Sequence, residues 1–250
     1  MRFLHLSDLH FHRAASDNAA AVATLATVRE RYPLHAIIVT GDLTDDGDAA
    51  QLRNAFDELS RFPRLFFCPG NHDFGAAGAF YDPQRARAFD AALSTPLHQG
   101  GTFAQLSFPV VNVVREGADE VMLIALDTNL ETVQPFDFAC GEVGQPQLEA
   151  LDQLLSAGSS AGKKKILFFH HHPFVRNNPF IELRDARALM RVVYGRVDVM
   201  AFGHRHVSQQ WQGLCGIPYV LAADNAPGKA VAREIEVLAG AVTVRDVPIG

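Results

Sequence analysis

A chain of 250 residues, 48% hydrophobic and 20% charged, is long enough for one domain with a sizeable buried core. Its formal charge of −6 argues against a nucleic-acid surface that works by bulk electrostatics. Cys68, Cys140 and Cys215 are widely spaced and form neither a disulfide framework nor a thiolate metal site, and no apolar run approaches the roughly 20 residues of a membrane span. With a strand starting at once after Met1, no signal peptide is expected, and a cytoplasmic, reducing setting is the prediction.

Arg2 to Leu6 reads as the first strand. Residues 17 to 32 carry Val22, Leu25 and Val28 at helical spacing, with Asp17 as the expected N-cap. Ala36 to Thr40 is an unbroken apolar and β-branched run, the mark of a strand covered on both faces. An acidic loop, Asp42 to Asp48, leads to a helix over about 48 to 61 with Leu52, Ala55, Phe56 and Leu59 on one side. Arg64 to Cys68 is the third strand. This alternation implies parallel strands with crossover helices.

The middle of the chain changes character. A short helix near 83 to 93 precedes Phe103 to Val114 and Glu120 to Leu126, which read as antiparallel hairpin material. Gln145 to Ser156 is an amphipathic helix with Leu148, Leu151, Leu154 and Leu155. Lys163 to Lys165 reads as a solvated loop entering the strand Ile166 to Phe169. A helix over Glu182 to Tyr194 and a strand over Val197 to Phe202 follow, and then short strands: Gln209 to Trp211, Tyr219 to Ala222, Val231 to Val237 and Val242 to Val247. No repeat or linker divides the chain. The expectation is one α/β domain over 1 to 250, with two sheets face to face and helices outside.

Five stretches carry chemistry: Asp8-Leu9-His10, Gly41-Asp42, Gly70-Asn71-His72-Asp73, His170-His171-His172-Pro173 and Gly203-His204-Arg205-His206. Taken singly they are unremarkable, since Asp8 or Asp42 could cap a helix, Asn71 could fill a left-handed turn, and the histidine run could alternate between core and surface. Together, each follows a predicted strand by one to four residues, where functional groups gather in parallel sheets. The donor set holds imidazoles, carboxylates and one amide, with no thiolate. It suits Zn, Mn or Fe better than Ca or Mg. Asp42, between the other candidates in sequence, is the natural bridging carboxylate. Two ions roughly 3.5–4 Å apart can clamp both oxygens of a phosphoryl transfer and acidify a water. They would also add about four positive charges to one cleft, which reconciles an acidic chain with an anionic substrate.

These blocks, intact over residues 4 to 206, resemble the calcineurin-like metallophosphoesterase superfamily. The resemblance implies a four-layer α/β/β/α sandwich of two packed mixed sheets flanked by helices. It implies one ion on Asp8, His10, Asp42 and His206, and another on Asp42, Asn71, His171 and His204. His171 is the histidine two residues before Pro173; the residues by themselves leave His170 and His172 open. By the same resemblance His72 is not a ligand but faces the phosphate, stabilising charge or protonating the leaving oxygen while a metal-bridging hydroxide attacks in line. Asp73 is a neighbour able to hold one ring nitrogen of His72. Asn71, His72 and Arg205 are the candidate substrate contacts, with Arg13, Arg176, Asn177 and Asn178 also near ligands in sequence.

Departures within the superfamily narrow the reading. Asp46 stands where protein serine/threonine phosphatases resemble one another in an arginine, His10 replaces the glycine of purple acid phosphatases, and His72 replaces an arginine typical of lipid A precursor pyrophosphohydrolases. The added capping domain and basic surface of the repair nucleases are not evident. His5 to His10, Thr40 to Asp45 and Leu126-Asp127-Thr128 resemble the class III cyclic-nucleotide phosphodiesterase and glycerophosphodiesterase group most. That resemblance implies two divalent or mixed-valence transition-metal ions (Mn, Fe or Zn) and a small phosphodiester substrate, with 3′,5′-cyclic AMP as one candidate. A glycerophosphodiesterase or a broad phosphomonoesterase is the alternative within enzymes. A metal-free scaffold of the same fold is the alternative outside them, disfavoured by the complete ligand set.

Overall fold

The computed structural model of the chain describes residues 1–76, 80–104, 108–129, 139–175, 178, 180–224 and 230–250. Its N-terminal third alternates as the sequence predicts: β1 (Arg2–Leu6), α1 (Ala19–Arg31), β2 (Ala36–Thr40), α2 (Ala49–Leu59) and β3 (Leu65–Cys68). A four-residue helix, α3 (Asn71–Phe74), two short strands, β4 (Gly75–Ala76) and β5 (Phe80–Tyr81), and α4 (Pro83–Phe89) follow. The hairpin β6 (Val110–Glu116) and β7 (Asp119–Ala125) leads to α5 (Gln145–Ser156), β8 (Lys164–Phe168), α6 (Ala186–Val193) and β9 (Val199–Phe202). The chain ends in β10 (Gln209–Gln212), β11 (Tyr219–Ala222), β12 (Val231–Leu238) and β13 (Ala241–Pro248).

Two mixed sheets result. The first has the order β13-β12-β1-β2-β3, with β1, β2 and β3 parallel and the two C-terminal strands antiparallel. The second has the order β10-β11-β9-β8-β7-β6, parallel from β7 through β8 and β9 to β11, with antiparallel strands at both edges. Side-chain alternation sorts the second sheet into two faces. Leu123, Ile166, Phe168, Val199 and Ala201 share a buried layer with the first sheet, while Ile124, Leu167, Phe169, Met200 and Phe202 face the other way. That second face is covered by Leu148 and Leu151 of α5 and Leu189 and Val193 of α6. Each such leucine removed from water contributes about 2 kcal/mol. Leu25 and Val28 of α1 and Leu52, Ala55 and Leu59 of α2 are buried with the first sheet. The order of layers is helices, sheet, sheet, helices.

Local chemistry moves some boundaries. The first helix starts at Ala19, not near Asp17, because residues 15–18 form a 3-10 turn. Asn18 spends its side chain on His12, accepting from its N–H at 2.7 Å and donating to its carbonyl at 3.1 Å. The last helix starts at Ala186, four residues after the predicted start. Leu183 is bridged to Gly141, and Asp185 accepts from the N–H groups of Val143 and Gly144. β6 begins at Val110 rather than Phe103; residues 105–107 lie outside the described residues. β8 begins at Lys164 rather than Ile166, so Lys164 and Lys165 lie in the strand and not in a loop before it, and Lys163 and Lys164 pair with Glu120 at 3.4 Å and Asp198 at 3.2 Å. All three cysteines are free, and no helix among the described residues is long and apolar enough to cross a membrane.

Candidate dinuclear metal site

Five strands, three parallel in the first sheet and two parallel in the second, end at one edge of the two sheets, and one polar cluster grows from the loops there. Asp8 follows β1, Asp42 follows β2, Asn71 follows β3, the histidine run follows β8, and His204 follows β9. The loops are stitched to one another: Asp8 N–H donates to Gly41 O at 3.0 Å, His10 N–H to Asp42 O at 2.9 Å, and Gly203 N–H to His170 O at 3.0 Å. Asp8, His10, Asp42, His204 and His206 all have φ between 47° and 74°. Side chains pay for the left-handed region by steric crowding, so a cluster of such residues marks a site held against local preference. Gly70 is needed because a Cβ there would meet Asp42 Oδ1 at 2.1 Å.

Two groups of donor atoms share Asp42. In one, His206 Nε2 lies 3.2 Å from Asp8 Oδ1 and 3.2 Å from His10 Nε2, and His10 Nε2 lies 3.8 Å from Asp42 Oδ2. In the other, His170 Nε2 lies 3.0 Å from Asn71 Oδ1, 3.1 Å from His204 Nδ1 and 3.2 Å from Asp42 Oδ2, and His204 Nδ1 lies 3.1 Å from Asn71 Oδ1. Asp42 Oδ1 accepts the His72 N–H at 3.0 Å, which leaves Oδ2 at the junction of the groups.

The donor set fits metal ions. His170 Nδ1 is 2.8 Å from the Thr40 carbonyl, which only accepts, so Nδ1 carries a hydrogen and Nε2 points into the cluster, where a bound ion would take the place of its proton. Burial keeps His204 neutral, at about 3, with His170 adding to the effect. Burial also opposes charge on His170, yet Asp42 and Asp8 outweigh it and raise that ring to about 9. Imidazole nitrogens and two buried carboxylates this close together form a group of donors that could hold a cation.

The structure places the three histidines of the run differently. His170, rather than His171, reaches the cluster. Ile166 and Phe168 face the first sheet, so the alternation carries His170 inward and His171 outward. His171 is buried with Nδ1 2.7 Å from Thr128 Oγ1, its ring against that of His204 at 4.6 Å, and a Cβ on Gly141 would strike it at 2.4 Å. His172 joins an aromatic group with Phe174, Phe202 and Trp211.

The half-buried His72 ring meets His10 edge-on at 4.8 Å, and its Nδ1 lies 2.6 Å from the Asp45 carbonyl. That carbonyl, not Asp73, sets the tautomer and leaves Nε2 as the free nitrogen. Asp73 turns back from α3 and accepts from Gly70 N–H at 2.9 Å, Leu43 N–H at 3.2 Å, and the Thr44 N–H and hydroxyl at 2.8 Å each. It ties the Asp42 loop to the Asn71 loop, and burial, then Asp42, push it up to about 6.

The remaining candidates are peripheral. Arg205 is exposed; burial first, then Arg205, lower neighbouring His172 to about 4. Arg13 is engaged with Asp46 at 3.1 Å and Asp48 at 3.6 Å. Asn178 accepts from Phe180 N–H, and Arg176 and Asn177 lie outside the described residues. Thr40, Thr128 and the Asp45 carbonyl were not anticipated; the only signal was that Thr40 and Thr128 stand at strand ends beside the motif.

The family model for calcineurin-like phosphoesterases matches residues 1–208. The chain belongs to this family. Among solved structures, this calcineurin-like phosphoesterase is similar to a dimetal phosphatase from Danio rerio, with a TM-score of 0.67 at 14% identity over 100% of this chain and 98% of that one. It is also similar to a phosphopantetheinyl hydrolase from Mycobacterium tuberculosis, with a TM-score of 0.54 at 13% identity over 90% and 89% of the two chains. At such identities the likeness shows the fold. No curated protein matches the sequence.

Proposed function

We propose that this calcineurin-like phosphoesterase is a dinuclear metal enzyme that hydrolyses a small phosphodiester, with 3′,5′-cyclic AMP as one candidate. The observation that carries the reading is Asp42 Oδ2, shared between a donor group of Asp8, His10 and His206 and one of Asn71, His170 and His204. Two divalent or mixed-valence ions of Mn, Fe or Zn held there would polarise the phosphoryl oxygens and lower the pKa of a water toward neutrality.

The chain's own residues supply position and protons. Thr40 aims His170, Asp73 fixes the separation of the Asp42 and Asn71 loops, and the Asp45 carbonyl keeps the hydrogen of His72 on Nδ1. A protonated His72 would donate from Nε2 to the leaving oxygen, and Asn71 would contact the phosphate. Preference for a diester is supported by the rim beside His72. Asp46 is paired with Arg13 at 3.1 Å and Arg85 at 3.5 Å, which engages both cations there and suits a singly charged ester better than a dianion. A cytoplasmic setting is proposed with it, on the three free cysteines.

The test is a panel of cyclic nucleotides, glycerophosphodiesters and phosphomonoesters with Mn-loaded protein. Faster turnover of one diester class is expected. Equal rates on monoesters would remove the diester preference, and less than one ion per chain with no hydrolysis would indicate a scaffold.

A further inference from the structure

Outside the metal site, a cavity of about 790 Å³ lies between α6 and the loop that follows the histidine run. That is within the range of small-molecule pockets. Its apolar lining includes Phe174, Leu183, Met190 and Tyr194, and Arg187 and Arg191 stand four residues apart on α6 at its edge. At that spacing both guanidinium groups share one helix face. Neither has an ion-pair or hydrogen-bond partner among the described residues, whereas Arg196 next along the chain is tied to Asp152 at 2.5 Å. Glu182 is the one acidic residue of the lining.

Two unengaged guanidinium groups over an apolar floor, on a chain of net charge −6, select a ligand of defined chemistry. A neutral apolar molecule would leave the fork donors unused, and a bare inorganic anion would leave Phe174, Met190 and Tyr194 in contact with water. We infer that this cavity is a second binding site, separate from the metal centre, for a small molecule that joins one anionic group to an apolar body. The anionic group lies against Arg187 and Arg191 and the body against Phe174, Leu183 and Met190. Phe174 also touches His172 and Trp211, with centroids at 6.0 Å and 5.6 Å, so an occupant borders the loop that delivers His170.

The test uses metal-loaded protein and 8-anilinonaphthalene-1-sulfonate, an aromatic anion whose fluorescence rises in apolar surroundings. Saturable binding at one site is expected, weakened about tenfold for each guanidinium removed in R187A and R191A, with ester hydrolysis unchanged. Met190→Lys, which puts a cation on the apolar floor, should also weaken it. Dodecanoate and phenylphosphonate serve as competitors: displacement by the first assigns an acyl body, by the second an aromatic one. Unaltered binding in R187A/R191A, displacement by neither competitor, or equal displacement by inorganic phosphate overturns the proposal.

Discussion

His170 Nδ1 sits 2.8 Å from the Thr40 carbonyl oxygen, at the end of the strand that also delivers Asp42. One backbone acceptor in the first sheet therefore orients a candidate ligand in the second, and the cluster forms only when the sheets are packed.

This geometry predicts a division of labour within the histidine run. His170→Ala should lower the metal content from about two ions per chain to about one. His171→Asn should retain about two, because an amide can replace Nδ1 toward Thr128. Metal analysis after dialysis measures both. Loss of an ion in the His171 variant but not in the His170 variant would invert the assignment.

A second prediction concerns His72. His72→Ala should keep both ions and lower kcat by roughly 10²- to 10³-fold with little change in KM, as expected for a proton donor acting late in the reaction. Full turnover with bound metal would remove that role. Asp73→Asn should act differently. It leaves His72 untouched but weakens the hold on Leu43, Thr44 and Gly70, so the expected loss is in thermal stability and metal affinity.

Why the sequence revealed some of this and not the rest is visible in single residues. Ala36 to Thr40 announced a doubly covered strand because every position is apolar or β-branched, and all five are buried. The loops that form the cluster were legible because glycine and candidate donor residues recur after such strands. The choice of His170 was not, because it depends on which face of β8 meets the other sheet, and a run of apolar residues carries no mark of parity. The role of Asp73 was hidden for a similar reason. Adjacency to His72 suggested a partner, but the turn of α3 sends the carboxylate back toward Leu43 and Thr44.

The last prediction concerns Asp127, a buried carboxylate away from the ligands. Its Oδ1 accepts from the N–H and Nδ2 of Asn129 at 2.8 Å and 2.7 Å, and its Oδ2 has no partner among the described residues. Burial raises its pKa from 3.8 to about 7, against the lowering effect of Asn129. The folded chain thus holds this proton more tightly than the unfolded one. Its contribution to stability is fully present below about pH 4, is lost as pH rises to about 7, and stays lost above that. Asp127→Asn keeps the Oδ1 acceptor and cannot ionise. An unpartnered amide costs less than an unpartnered carboxylate. In metal-free protein, Tm of the natural chain should therefore fall relative to the variant between pH 4 and 7, with the variant the more stable at pH 8. Parallel Tm profiles across that range would show that Asp127 is not held protonated by its surroundings.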